Sequence, residues 1–228
     1  MVDTTDRWVQ RLRDGIAPRP WPVHVLAVVL VLAAPSLIVA ELHSPAFVAE
    51  MNHSSHIGSI VLIELFVMVL GFVMSIGTWW SGRRDRRTLA RIRASGHEPA
   101  LFLPVLTKGI RTSEDLPRPR PEVWTFDAAG LHGWTPDHDA PVMDLPWEQI
   151  RKIDLATMDS RTWGSRIDYA LWFGLTGGST LVLPPRTTLG RPFQAGPGRL
   201  EALLPVMRAL RRELGPGLPR PGRATTGS

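Results

Sequence analysis

Apolar residues gather in two long runs, 21–42 and 57–80, and past residue 121 the pattern changes to short alternating segments separated by turns. A helix rises about 1.5 Å per residue, so about 20 apolar residues cross a hydrocarbon layer about 30 Å thick. Residues 21–40 supply that length without a charge. The second run contains Glu64, whose insertion costs about 3 kcal/mol, while the Ile, Val, Leu and Phe side chains from Ile60 to Val73 return about 3 to 7 kcal/mol. Both runs are therefore expected to be transmembrane helices. A secretory signal would have a shorter apolar core and would not be followed at once by a second run.

Arginine sets the expected orientation. Arg7, Arg11, Arg13 and Arg19 precede the first run, and Arg83, Arg84, Arg86, Arg87, Arg91 and Arg93 follow the second, whereas the loop 43–56 has neither Lys nor Arg. Positive flanks stay inside, so both termini are expected in the cytoplasm of a multi-pass plasma (inner) membrane protein, with only the loop outside. Trp21, Trp79 and Trp80 stand where amphipathic rings favour the interface. Counted from the outer ends, Glu64 lies near the depth of Ser36, which would let the two polar groups share a hydrogen bond within the hairpin.

The expected organisation is then a cytoplasmic N-terminal segment (1–20), transmembrane helix 1 (21–42), an outer loop (43–56), transmembrane helix 2 (57–80), a basic stalk and linker (81–121), a cytoplasmic sheet domain (122–214) and a disordered tail (215–228). Residues 83–94 lack Gly and Pro and extend the second helix as a stalk that Gly96 ends. Its six arginines are candidates for binding the anionic membrane surface, each worth about 1 kcal/mol near such a leaflet. Residues 99–110 are apolar and suit either a helix or a strand, and 112–121 are Pro-rich. Residues 123–126 and 131–134 flank Asp127-Ala128-Ala129-Gly130, a Gly-bearing hairpin turn. Residues 143–147 lead into a strand at 150–158. Ile167, Tyr169, Leu171, Phe173 and Leu175 alternate strictly, and Gly177-Gly178 turns the chain into 179–183, so an antiparallel sheet is expected. Leu200, Leu203, Leu204, Met207, Leu210 and Leu214 fall at helical spacing, with Arg208, Arg211 and Arg212 on the remaining surface. Pro205 predicts that this helix starts near Leu204 or kinks there.

Two apolar helices, several strands and a terminal Leu-rich helix make an order of parts that resembles the bacterial membrane-anchored pleckstrin-homology-like proteins, in particular the YcxB-like group. The similarity is carried by Thr125-Phe126-Asp127 with Gly130-Leu131, by Leu145-Pro146-Trp147-Glu148-Gln149-Ile150, by Leu183-Pro184-Pro185-Arg186 and by the helix after Gly198. It covers the last half of the chain. The resemblance implies a membrane α-helical hairpin joined to an α+β domain, a PH-like antiparallel split barrel or curved sheet capped by a C-terminal helix. It also implies a binding or assembly role without an established catalytic residue.

The chemistry that composition leaves open is narrow. There is no cysteine, which excludes disulfides, thiolate metal sites and cysteine nucleophiles. No nucleophile elbow, phosphate loop, dinucleotide fingerprint or zinc-protease helix occurs, so neither an enzyme nor a cofactor is expected. The net charge of +5 is explained by membrane topology without nucleic acid. Glu50, His53 and His56, spaced by three beside His43, could offer a helical turn to a divalent metal, although a solvated loop is the plainer reading. His132, Asp137, His138 and Asp139 form a second such group, bracketed by Pro136 and Pro141. Trp124, Trp134, Trp147, Trp163 and Trp172 could stack bases, but in a small sheet they suit the core or rim better. The expected function is a membrane-tethered, non-enzymatic scaffold whose sheet domain binds a protein partner, a second copy of itself or the inner leaflet. The alternative is an accessory subunit of a membrane transport or signalling complex that uses Glu64 and the His-bearing loop. Trp172 and Arg186 are the residues whose substitution would favour the scaffold.

Overall fold

The computed structural model describes residues 4–18, 21–43, 57–112, 116–159 and 166–215. It divides into two compact units. One comprises Met1–Pro18 with Arg83–Ser228, the other Arg19–Gly82, and the division falls inside a single helix.

The Arg19–Gly82 unit carries helix α2 (Trp21–Leu42) and the first part of α3 (Ile57–Ala94). Among the described residues one stretch, Leu65–Ala94, is long and apolar enough to cross a membrane, and only 17% of its most apolar portion is buried. A core helix of a water-soluble fold would bury far more of such a face. Large apolar side chains stand exposed along both helices, among them Leu32 at 64% and Phe66 at 66%. Ser36 donates its hydroxyl to the carbonyl of Leu32 in its own helix at 2.8 Å. The hydrogen bond expected between Ser36 and Glu64 therefore has a competitor one turn away, and the Glu64 side chain lies outside the described residues.

The other unit is built from α1 (Thr4–Arg13), the end of α3, strands β1 (Leu101–Pro104), β2 (Arg111–Thr112), β3 (Val123–Phe126), β4 (Gly130–Trp134), β5 (Met143–Pro146), β6 (Ile150–Asp159), β7 (Arg166–Leu175) and β8 (Thr180–Leu183), and helix α4 (Pro197–Leu214). Two four-stranded antiparallel sheets form, in the orders β1-β3-β4-β5 and β2-β8-β7-β6. The hairpins expected at β3–β4 and β7–β8 are present, with Phe126 opposite Leu131 and Phe173 opposite Leu181. Residues 99–110 resolve as a strand and a short 3₁₀ turn, because Leu101–Pro104 adds to the free edge of β3.

One core joins the inner faces. Leu101, Leu103, Trp124 and Phe126 from the first sheet meet Leu171, Phe173, Leu181 and Leu183 from the second. Leu200, Leu203, Met207 and Leu210 of α4 close it, at about 1.5–3 kcal/mol for each large side chain removed from water. The first sheet is also covered on its outer face, where Phe102, Val123 and Trp134 pack against Leu89 and Ile92 of α3. Burial on both faces accounts for the apolar run of β1 and for β3 being apolar but for Thr125, whose hydroxyl accepts the indole N–H of Trp134 at 2.8 Å. Helix α1 adds Trp8, Val9 and Leu12 to the main core.

Two expectations change in detail. The sequence reading starts the domain at residue 122, whereas this unit also takes in 1–18, 83–94 and β1, whose apolar side chains complete its core. Helix α4 starts at Pro197 and runs through Pro205 instead of beginning there. Pro205 and Glu201, whose carbonyl loses its partner, both lie on the exposed face, where the orphaned group is not sealed from solvent.

Candidate functional site

The arginines after the second apolar run are partly committed to the fold. On α3, residues 85, 88, 89 and 92 recur at helical spacing and are buried, so this helix lays one side on the sheet and leaves its arginines around the rim. Arg84 donates from both Nε, at 3.0 Å, and Nη2 to the carboxylate of Glu122. Its pKa is raised, first by that hydrogen bond and then, against the desolvation of burial, by the charges of Glu122, Asp137 and Asp85. Arg91 pairs with Asp139 at 3.0 Å, and Arg93 reaches the carbonyl of Gly15 at 3.3 Å. Arg83, Arg86 and Arg87 are exposed. The residue that sequence reasoning passed over is Asp85. It lies buried beneath the basic cluster and receives Arg186 from the segment after β8 through two hydrogen bonds, at 2.7 and 3.0 Å. The N–H of Gly190 donates to the same carboxylate.

His132 stands two residues before Trp134 on β4, on the face that alternation assigns to both. Its Nδ1 lies 2.5 Å from Asp144 and its Nε2 lies 3.0 Å from Asp127, and the ring stands edge-on to His97 at 5.8 Å. Burial by itself pushes the imidazole pKa down, but hydrogen bonds and charge from Asp144 and Asp127 together overcome it, so the pKa is raised. The group expected here joins His132 to Asp137, His138 and Asp139. Instead the register puts Asp144 opposite His132, while His138 contacts the hydroxyl of Thr135 at 2.9 Å and Asp139 pairs with Arg91. Asp127 also accepts the N–H groups of Ala129 and Gly130, so the trio locks the β3–β4 turn to β5. Among the described residues no group of three or more His, Asp or Glu side chains is arranged to hold a metal. Glu50, His53 and His56 lie outside the described residues, as does Trp163. Trp124, Trp134 and Trp147 are buried, leaving Trp172 partly exposed with the Lys152 ammonium 6.0 Å from its ring centre.

A concave basic surface lies elsewhere. Between β6 and the outer side of α4 a cleft of about 1090 Å³ is lined by Arg151, Lys152, Arg208, Arg211 and Arg212, with Glu148 the one carboxylate of its lining among the described residues. Trp147, Ile150 and Ile153 form its apolar floor. Strand β6 is a sheet edge, and its carbonyls are occupied from α4. Arg208 Nε donates to Ile153 at 3.1 Å and Arg211 Nη1 to Arg151 at 2.7 Å, which blocks further strand pairing along this stretch. Asp154 sits beside the cleft with a lowered pKa. The causes are a hydrogen bond from Lys152, then the N–H of Leu155, with the charges of Lys152 and Arg208 adding to them. Lys152 and Arg208 are thereby partly neutralised, while Arg151 and Arg212 are exposed side chains without an ion pair among the described residues. Compared with protein-family models, curated proteins and solved structures, the chain matches none.

Proposed function

We propose that the protein is a membrane-tethered, non-enzymatic interaction module. In this reading α2 and the apolar part of α3 cross the plasma membrane as a hairpin, and the unit formed by residues 1–18 and 83–228 works at the cytoplasmic surface. The observation that carries it is the composition of that unit. Trp8, Val9 and Leu12 share a core with strands that follow α3, so the chain leaves the folded unit at Pro18 and rejoins it at Arg83. Since the unit lies on one side of any bilayer, an excursion that enters it must cross an even number of times. The exposed apolar side chains of residues 21–80 suit hydrocarbon as solvent, and the absence of Lys and Arg from 43–56 suits an outward loop.

Two antiparallel sheets closed by a C-terminal helix suit the PH-like arrangement that the sequence resemblance implies. The exposed arginines 83, 86 and 87 and the basic cleft are surfaces for a partner or for the anionic leaflet. Fractionation of cells followed by carbonate washing tests the tether. The chain is expected to remain in the membrane pellet until detergent is added, and release by carbonate would contradict the reading. Crosslinking from native membrane would then identify the bound protein.

A further inference from the structure

We infer that the cleft between β6 and α4 is a binding site for a phosphate-bearing polyanion of small-molecule size. The inference deepens the proposed function and rests on the reading of this unit as a binding module. Five basic side chains converge on the cleft against Glu148 in its lining and Asp154 at its side. After Asp154 has paired with Lys152 and Arg208, the arginines still leave an excess of positive charge that a neutral or cationic ligand would not compensate. Four of the five are arginines, whose planar guanidinium offers paired donors matching phosphate oxygens. Arg208 and Arg211 are anchored through β6 carbonyls, which holds the cationic wall in place before any ligand arrives. Arg151 and Arg212 keep their donors for a ligand.

The volume, about 1090 Å³, suits a molecule with several phosphate groups better than a single inorganic ion. The apolar floor of Trp147, Ile150 and Ile153 adds a low-dielectric surface that strengthens charge pairing over it. The chain's own C-terminal segment is a poor occupant, since residues 216–228 carry Arg220 and Arg223 and no acidic side chain. A strand from another protein is disfavoured because the β6 carbonyls are already engaged.

Isothermal titration of inositol hexakisphosphate and of inorganic tripolyphosphate into the full-length protein in phosphatidylcholine nanodiscs tests the site. Binding is expected to weaken steeply with added salt. It should fall about tenfold or more in the Arg151→Gln/Arg212→Gln variant, which leaves both backbone anchors intact, and should persist in Arg86→Gln/Arg87→Gln. Absence of binding by either probe, or equal binding by the two double variants, would overturn the inference. Repeating the titration in nanodiscs containing phosphatidic acid separates the sources of phosphate. With oleate-containing nanodiscs of matched charge as the control for surface repulsion, a drop in apparent affinity beyond that control identifies a lipid headgroup as the occupant, and a drop no greater than it identifies a soluble one. The cleft lies within the folded unit, so a chain that carbonate releases is titrated in detergent with the same variants: failure of the tether test leaves this result readable, and failure here leaves the tether untouched.

Discussion

Asp85 and Arg186, 101 residues apart, form a two-pronged ion pair at 2.7 and 3.0 Å, with side chains 1% and 6% exposed. Asp85 belongs to the helix that carries the second apolar run, and Arg186 to the segment leaving β8, so the pair fixes the end of that helix to the sheets. Burying two charges is costly, and removing one partner strands the other without water. Asp85→Asn and Arg186→Met are each expected to lower stability by about 3–5 kcal/mol. The double variant should lose less than the sum of the two, which a double-mutant cycle of thermal unfolding in detergent measures.

His132 predicts a pH dependence with a definite sign. Its pKa is raised in the folded protein, in a site faced by Asp127 from the β3–β4 turn, Asp144 from β5, and His97, whose ring also stands edge-on to Trp134. A raised cationic pKa contributes stability that is complete below the unfolded value of about 6.5 and is lost as pH climbs through the folded value. The Tm of the wild type should therefore decline more than that of His132→Gln as the pH rises from the unfolded value of about 6.5 through the raised folded value. Parallel Tm profiles would show that the trio contributes no linkage.

Helix α1 is held by the Trp8 indole N–H, which donates to the carbonyl of Thr187, and by Arg199 lying 5.7 Å from the ring centre. Trp8→Ala is expected to cost about 3–5 kcal/mol. Hydrogen exchange should then quicken in residues 4–13 and around Thr187 before it changes in β7.

Gly130 has φ of +151°, and a Cβ there would sit 2.3 Å from the Leu145 carbonyl oxygen. Gly130→Ala should therefore destabilise by more than about 2 kcal/mol, because the obstacle is backbone. Gly198, in the first turn of α4, has nothing within 4 Å of the same position. Gly198→Ala should stabilise by about 0.5–1 kcal/mol, and Tm measurements on the pair check both signs.

What could be read from the sequence was local. The β7 alternation and the Gly-bearing turns carried their own signal, as did the leucine stripe of α4, because period and turn chemistry are properties of neighbouring residues. Strand β1 was ambiguous because α3 covers its outer face, and burial on both sides removes the alternation that marks a strand. Leu89 and Ile92 stood at helical spacing but among arginines that topology explained well enough. Asp85 had no local hint of its partner. The Asp144 contact with His132 could have been found by extending the hairpin register from β4 to β5, which puts the two residues opposite each other. The cleft could not, since Arg151 and Arg212 meet only after α4 docks against β6.

Labelling with a membrane-impermeant maleimide in intact cells tests the central claim most directly. The natural chain has no cysteine, so single introduced thiols report without background. Ser54→Cys should be labelled from outside, while Thr4→Cys and Ser228→Cys should react only after permeabilisation. Labelling of Ser228→Cys in intact cells, or protection of Ser54→Cys, would contradict the two-crossing tether with its folded unit inside.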